Sequence, residues 1–394
     1  MNKIFIAVLT LWAIPTQADN WNTSVEAGLE SRWFIQDARL PNQHSGVGLS
    51  LKLQPEFRYK SDDRKTQFAL VPFLRYDAED SERTHFDLRE AYWRHIGDEW
   101  EVTAGVDKVF WGVAESRHLV DIINQTDLVE DIDQEDKLGQ PMVSASTQKD
   151  WGAISLYWLP YFRERTFPGA DGRLRTPLPV DNDRAQYESA AGQWHQDIAL
   201  RYSHYFGDWD VGASYFRGTN REARLLPDNS GEWLLPNYDQ IDQLGVDLQY
   251  TWEAWLLKVE GIYQKSRIDN FFATVAGFEY TFYQVAETST DIGVLLEYQY
   301  DGRNAAAPAT LADDDVFAGM RWSLNDTQDT AVLAGVAVDR HSGEQFYNIE
   351  AETRIGQNIT AELRARFLTG SEPGESAFFV ERDDYIQLSL SYHL

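Results

Sequence analysis

Cysteine is absent from all 394 residues. A disulfide framework and a cysteine metal site are therefore excluded, whereas a sheet closed by its own hydrogen bonds needs neither. Basic charge is also scarce, with 35 Lys and Arg against 63 Asp and Glu and a formal net charge of -28. Binding to phosphate backbones wants clustered positive charge, so nucleic acid is not an expected partner. Apolar runs long enough for a membrane helix, roughly 20 residues, are missing after Pro15. Aromatic residues, in contrast, are plentiful: 14 Trp, 19 Tyr and 20 Phe.

The one continuous apolar run lies at the start. Met1-Asn2-Lys3 is a short positive stretch, Ile4 to Pro15 is apolar, and Thr16-Gln17-Ala18 precedes Asp19. This order is that of a secretory signal peptide, too short to span a bilayer as a helix. The expected organisation is a signal peptide at 1–18 and a single mature domain at 19–394.

Period-two alternation recurs through the rest of the chain. Val47, Leu49, Leu51, Leu53, Phe57 and Tyr59 oppose Ser50, Lys52, Gln54, Glu56, Arg58 and Lys60. Only an extended strand puts those two sets on opposite faces. The same pattern returns in Leu244, Val246, Leu248 and Tyr250, in Ile292 to Tyr300, and in Ile359 to Phe367. It closes the chain, where Ile386, Leu388, Leu390, Tyr392 and Leu394 alternate with Gln387, Ser389, Ser391 and His393. Such a terminal strand resembles the signal that marks bacterial outer-membrane barrels for assembly.

Turns and loops alternate in length. Short polar turns fall near 61–63, 97–98, 148–150, 207–208, 252–254, 325–326 and 356–357, with longer segments between them at 37–46, 77–85, 112–140, 159–195, 218–240, 301–314 and 369–384. Short turns at one end and long loops at the other are characteristic of transmembrane barrels. Soluble sandwiches and propellers use strands of about 5–6 residues, shorter than the runs seen here. The expected fold class is all-β: a transmembrane antiparallel β-barrel of about 18 strands, with 16 as the alternative, both termini at the periplasmic end and an inward-folded loop. The strand at 84–96 is the least regular, because neither parity of Asp87 to Arg94 gives a clean apolar face; a bulge or shielding by a loop would explain it.

A barrel of this size leaves an aqueous lumen unless something narrows it. The segment 112–140 is the first candidate. Ser116 to Asn124 reads as a short amphipathic helix whose Leu119, Val120, Ile122 and Ile123 would pack on the inner wall, and an acidic run from Asp127 to Asp136 follows. Within it Asp131 to Glu135 superficially suggests calcium but lacks the glycine and the distal glutamate of an EF-hand loop. The second candidate, 159–195, carries Arg163, Arg165, Arg173, Arg175 and Arg184. Acidic and basic loops facing each other could set up a transverse field in an eyelet. The candidate pore residues are therefore Arg117, His118, Asp121, Asn124 and Asp127 of the first loop, facing lumenal Arg58, Glu297 and Arg321, with Arg163 and Arg165 of the second. Lumenal charges serve cross-strand ion-pair ladders first.

The stretch Leu88-Arg89-Glu90-Ala91-Tyr92, followed by Val102-Thr103-Ala104-Gly105-Val106-Asp107-Lys108-Val109-Phe110-Trp111-Gly112, resembles a hairpin of porin-like outer-membrane barrel families of Gram-negative bacteria. In those relatives an R-E-A-Y stretch precedes V-G-x-Q-x-x-x-W-G and an inward loop; here Asp107 and Lys108 replace the usual arginine and glutamine. The match covers about twenty-five residues. The resemblance implies a barrel with a pore role, and some relatives serve export of lipidic compounds with an inner-membrane pump.

These readings lead to one expectation, a porin-like channel for passive diffusion of small hydrophilic solutes, constricted by 112–140. Its alternative is an outer-membrane part of an export or assembly system. His204, His341-Ser342 and His393 sit in no recognisable nucleophile motif, so no enzyme, cofactor or metal is expected. Expected partners are outer-membrane lipid and lipopolysaccharide, small solutes, the barrel-assembly machinery and, as in many porins, further copies of the chain.

Overall fold

The structure is a computed structural model that describes residues 20–371 and 377–394. The proposed signal peptide lies outside the described residues. Eighteen long strands follow one another along the chain: β1 Trp21–Phe34, β2 Val47–Lys60, β3 Thr66–Asp77, β4 His85–Ile96, β5 Trp100–Asp107, β6 Gln140–Lys149, β7 Gly152–Leu159, β8 Asp197–Phe206 and β9 Trp209–Thr219. They continue as β10 Gln240–Trp252, β11 Trp255–Ser266, β12 Asn270–Phe282, β13 Asp291–Asp301, β14 Asp314–Ser323, β15 Ala331–Asp339, β16 Gln345–Ile355, β17 Ile359–Thr369 and β18 Tyr385–His393. Each pairs antiparallel with its neighbours in sequence, and β18 returns to β1 in the register Leu29↔Leu390 and Trp33↔Ile386. The sheet is thus a closed barrel of 18 strands without an edge. Closure is what lets a sheet stand in lipid, where an unpaired N–H has no water to turn to.

Alternation decides which face each residue takes. Leu49, Leu51, Leu244, Val246, Leu388 and Leu390 are each about half exposed on the outer surface, while their neighbours Ser50, Gln243, Asp247, Gln387 and Ser389 are buried inside. Aromatic side chains collect at both rims of the apolar band. Trp21, Trp100, Trp209 and Trp252 stand near one end of the strands, and Trp33, Tyr76, Phe86 and Phe272 near the other. Trp209 stacks on Tyr250 at 4.5 Å, and Trp255 meets Tyr280 at 4.6 Å. Such girdles sit where a ring can keep its body in hydrocarbon and its polar edge in water. A cation placed in the middle of the band must be desolvated by lipid. Val259→Arg, on the outer face of β11, is therefore expected to cost about 2–4 kcal/mol in lipid vesicles, read from denaturant midpoints. A cost near zero would mean that this face does not meet hydrocarbon.

The irregular strand has a simple cause. Val71 of β3 pairs with Glu90 of β4, yet the next residue, Pro72, pairs with Leu88. Arg89 is thus an extra residue, a bulge that switches parity within β4. Phe86 points outward before it and Trp93 after it, so no single parity could read as apolar. Pro72 supplies no N–H to the ladder at this point.

Two expectations need correction. β5 ends at Asp107 rather than 111. There the Asn124 side chain takes over the ladder's hydrogen bonds, accepting from the Val109 N–H at 2.8 Å and donating to the Asp107 carbonyl at 3.0 Å. Loop residues 186–187, 224–227 and 234–238 also build a small three-stranded sheet over the mouth, which alternation did not announce because its strands are so short.

Candidate functional site

The segment from Lys108 to Gly139 leaves the wall after β5 and crosses the lumen. Gly112 makes the turn at φ +146°, and a Cβ there would meet the Glu260 carboxylate at 2.9 Å and the His118 ring at 3.0 Å. Glycine alone fits such a position without strain. Beyond it the chain is irregular, not the helix expected for 116–124. Its backbone donors are satisfied by the wall instead. Glu260 of β11 accepts the N–H groups of Val113, Ala114 and Val120 at 2.7, 2.9 and 3.2 Å. Glu297 of β13 accepts those of Glu115 and Ser116, each at 2.8 Å. Two charged acceptors aimed at five donors outcompete the helical pattern, since charge-assisted hydrogen bonds are the stronger ones.

Apolar packing adds to this hold. Val120 and Ile123 are fully buried, and with Trp111, Leu119 and Ile122 they pack on Phe216, Ile241, Ile262, Phe271 and Val275 of the inner wall. The expected packing of these loop residues is found. The strand at 270–275 carries apolar residues of both parities for this reason: Phe272 meets lipid while Phe271, Ala273 and Val275 meet the loop.

The far end of the segment is acidic and docks on a wall of arginines. Glu130 takes Arg75 of β3 in a two-pronged contact at 2.7 and 2.5 Å. Asp127 pairs with Arg89 at 2.7 Å, and Asp131 with Arg364 and Arg366 of β17, both at 3.0 Å. Arg83 joins Glu30 of β1 at 2.7 Å and the Val129 carbonyl at 2.8 Å. By strand order β17, β18, β1, β3 and β4 lie nearly opposite β11 to β14, so the segment is strapped to both sides of the barrel.

The residues singled out in the sequence fall into place unevenly. Arg117 donates to Asp301 at 2.8 Å and to the Ala312 carbonyl at 2.9 Å. His118 lies 3.0 Å from Glu135 and 3.9 Å from Glu260, and Asp121 lies 3.3 Å from Lys137. Arg321 meets Glu115 at 2.7 Å, so Glu297 and Arg321 do face the loop. Arg58 does not: it pairs with Glu56 and Glu90 on the wall at 3.0 and 2.9 Å. Arg163 reaches Asp87 at 2.6 Å, while Arg165 is half-buried, with its Nε enclosed and unpartnered and its backbone N–H on the Tyr238 hydroxyl. The expected opposition of an acidic and a basic loop is replaced by an acidic loop on a basic wall. Arg173, for example, is spent on Asp383 at 2.5 Å. Arg32, Arg75, Arg83 and Arg89 were not singled out. An arginine at the inward parity of β1, β3 and β4 was the available signal, masked on β4 by the bulge.

What remains open beside the strap is a cavity of about 560 Å³ on the loop side, between the segment and the walls of β13 to β17. Arg117, His118, Gln299, Asn348, Phe317 and Phe346 are among its lining residues, so it offers charge, amides and aromatic faces together.

The acidic tip couples the strap to pH. Burial first, and the Glu130 charge second, push the Asp136 carboxyl up to about 6. Burial and Asp131 raise Asp133 as well. Asp127 moves the other way, because His85 and Arg89 outweigh its burial. A raised acid favours the docked state at low pH and loses that contribution as pH rises through its folded pKa; a lowered acid contributes above its ordinary value near 4 and loses that as pH falls. Docking is thus firmest near pH 4 and weakens as pH rises through the window between the ordinary carboxyl value and the raised ones, from about 4 to 7. Amide exchange of 127–136, corrected for intrinsic rates, should be slowest near pH 4, and Asp136→Asn should remove the part of the loosening that falls between about pH 4 and 6. A profile that Asp136→Asn leaves unchanged would break this link.

A closed barrel of 18 long strands with an apolar belt, two aromatic girdles and a lumen crossed by a loop is the fold of porin-like outer-membrane barrels. Among solved structures, the chain resembles Wzi, an Escherichia coli outer-membrane protein involved in group 1 capsule assembly and described as a carbohydrate-binding β-barrel, with TM-score 0.56 and 10% identity over 95% of this chain and 85% of that one. It also resembles a BenF-like porin from Pseudomonas fluorescens Pf-5, with TM-score 0.54 and 10% identity over 95% and 98% of the two chains. OccK11 (OpdR) of Pseudomonas aeruginosa gives TM-score 0.53 and 10% identity over 95% of each. No protein-family model and no curated protein sequence matches the chain.

Proposed function

We propose that this protein resides in the bacterial outer membrane and passes small hydrophilic solutes through a lumen narrowed by the 108–139 segment. The observation that carries the reading is the strap itself, anchored on both sides and leaving a compartment of about 560 Å³ lined by charged, amide and apolar side chains. In this reading Arg117, His118, Asp121, Asn124 and Asp127 set the size and field of the passage. Glu297 and Arg321 anchor the loop, Arg163 holds its end through the Gly139 carbonyl at 2.7 Å, Arg165 lines the compartment, and Arg58 belongs to the wall ladder below. Acidic groups outnumber basic ones in the chain, which favours cations in transit. Lipopolysaccharide around the belt, the assembly machinery reading the last strand, and further copies of the chain are the partners that go with it. Purified protein in planar bilayers should give small, steady, ohmic steps with a mild cation preference.

A second reading is a closed barrel that serves envelope export or assembly. It draws support from the density of ion pairs holding the strap and from the likeness in fold to Wzi. Electrical silence in the same bilayers would select it over the channel.

A further inference from the structure

Most buried carboxylates of the strap and its wall are matched by guanidinium groups, by the Lys137 ammonium or by rows of backbone N–H. A group at the loop-side rim is not. Asp313, just before β14, and Asp339, at the end of β15, stand beside each other at the rim. With His341 they bring three ligand atoms within 4.8 Å of one another. Asp315 pairs with Asp339 across the β14–β15 ladder and faces the same two negative charges. It is 4% exposed, and its Oδ2 is buried with no hydrogen-bond partner. Among the described residues no Lys or Arg forms an ion pair with Asp313, Asp315 or Asp339. Arg340, the nearest in sequence, is taken by Asp314 at 3.0 Å.

Three carboxyl groups, one of them buried, repel one another as anions, and a shared proton or a bound cation relieves this. The neighbouring contacts prepare the group for one. Asp339 Oδ1 accepts the N–H groups of His341 and Ser342 at 2.7 and 2.5 Å and the Ser342 hydroxyl at 2.9 Å, which fixes the carboxylate and leaves Oδ2 turned to the cluster. We propose that Asp313 and Asp339, backed by the buried Asp315, form a divalent-cation site of the calcium type at the outer rim. Its donors are carboxylate oxygens, the ligands that hard cations take at roughly 2.3–2.6 Å. His341 turns Nδ1 to Asp314 at 3.3 Å and keeps its other ring nitrogen, so it is the majority of carboxylate oxygens that favours a hard cation here. The site ties the β15–β16 turn to the 302–313 loop, whose Thr310 and Ala312 line the lumenal cavity. Bound calcium would hold that loop in place, whether or not the lumen conducts.

The test uses the mature chain refolded in detergent free of lipopolysaccharide and stripped with EDTA. Calorimetric titration with CaCl2 should show one saturable site with Kd of about 10⁻⁴ to 10⁻³ M, the range of extracellular calcium modules. Calcium should also raise the thermal unfolding temperature. Asp313→Asn and Asp315→Asn should each weaken binding at least tenfold (roughly 1.4 kcal/mol) and, by relieving repulsion, raise the unfolding temperature of the metal-free protein. A metal-free gain in the variants with no response of the native protein to calcium would overturn the site and leave only a repulsive cluster. Calcium binding that both variants retain at full strength would place the cation elsewhere and overturn it equally.

Discussion

Replacing residues 116–136 by a short Gly/Ser linker is expected to raise single-channel conductance several-fold and to shift the channel toward anions. The first effect follows from geometry, since this segment is what crosses the lumen. The second follows from charge. Arg75, Arg89, Arg364 and Arg366 now face Glu130, Asp127 and Asp131 across salt bridges of 2.5–3.0 Å. Without those carboxylates the guanidinium groups of the wall from β17 round to β4 keep only Glu30, Asp87, Glu350 and Glu362, so the local balance shifts toward positive charge, which attracts anions. The measurement is conductance and reversal potential in a salt gradient, for the native and shortened proteins side by side. Equal conductance and equal reversal potential would remove the segment from the conduction path.

Arg75→Ala should cost about 3–5 kcal/mol, because it leaves Glu30 and Glu130 facing each other in a buried site with one cation fewer. The partners are 2.5 Å apart at Glu130 and 3.0 Å at Glu30, and the side chains of Arg75, Glu130 and Glu30 are 5%, 6% and 9% exposed. Solvent screening is therefore small, and the full penalty of an unpaired buried charge applies. Glu130→Ala on the Arg75→Ala background should restore part of the loss, since it deletes the stranded carboxylate while Arg83 and Arg32 continue to serve Glu30. Denaturant midpoints in detergent micelles, taken as a double-mutant cycle, give the coupling. A coupling below about 0.5 kcal/mol would show the network to be solvated and the strap to be held by apolar packing alone.

The chain's alternation made the barrel readable strand by strand. The outward-facing positions of β2, β10, β13 and β17 could be read directly because lipid tolerates only apolar side chains on that face. It failed at β4, where the Arg89 bulge exchanges the faces midway, and at the end of β5, where Asn124 hands the backbone over to the lumen. The apolar residues of the strap were also legible, because Leu119, Val120, Ile122 and Ile123 have no use in water. Its backbone was not. A helical pattern at 116–124 is a local preference, and Glu260 and Glu297, more than a hundred residues away, override it by capturing its N–H groups.

By itself the sequence determined the class of fold, the two ends of the barrel and the presence of an inward segment. Each rests on a choice that a residue makes with its immediate neighbours: lipid against water, short turn against long loop. Only the tertiary structure decided which charges meet. The salt bridges joining Asp131 to Arg366 and Glu115 to Arg321, and the unmatched group of Asp313, Asp315 and Asp339, bring together residues from strands distant along the chain or across a hairpin register. Coulomb energy depends on separation in space, and closing an eighteen-strand ring is what fixes that separation.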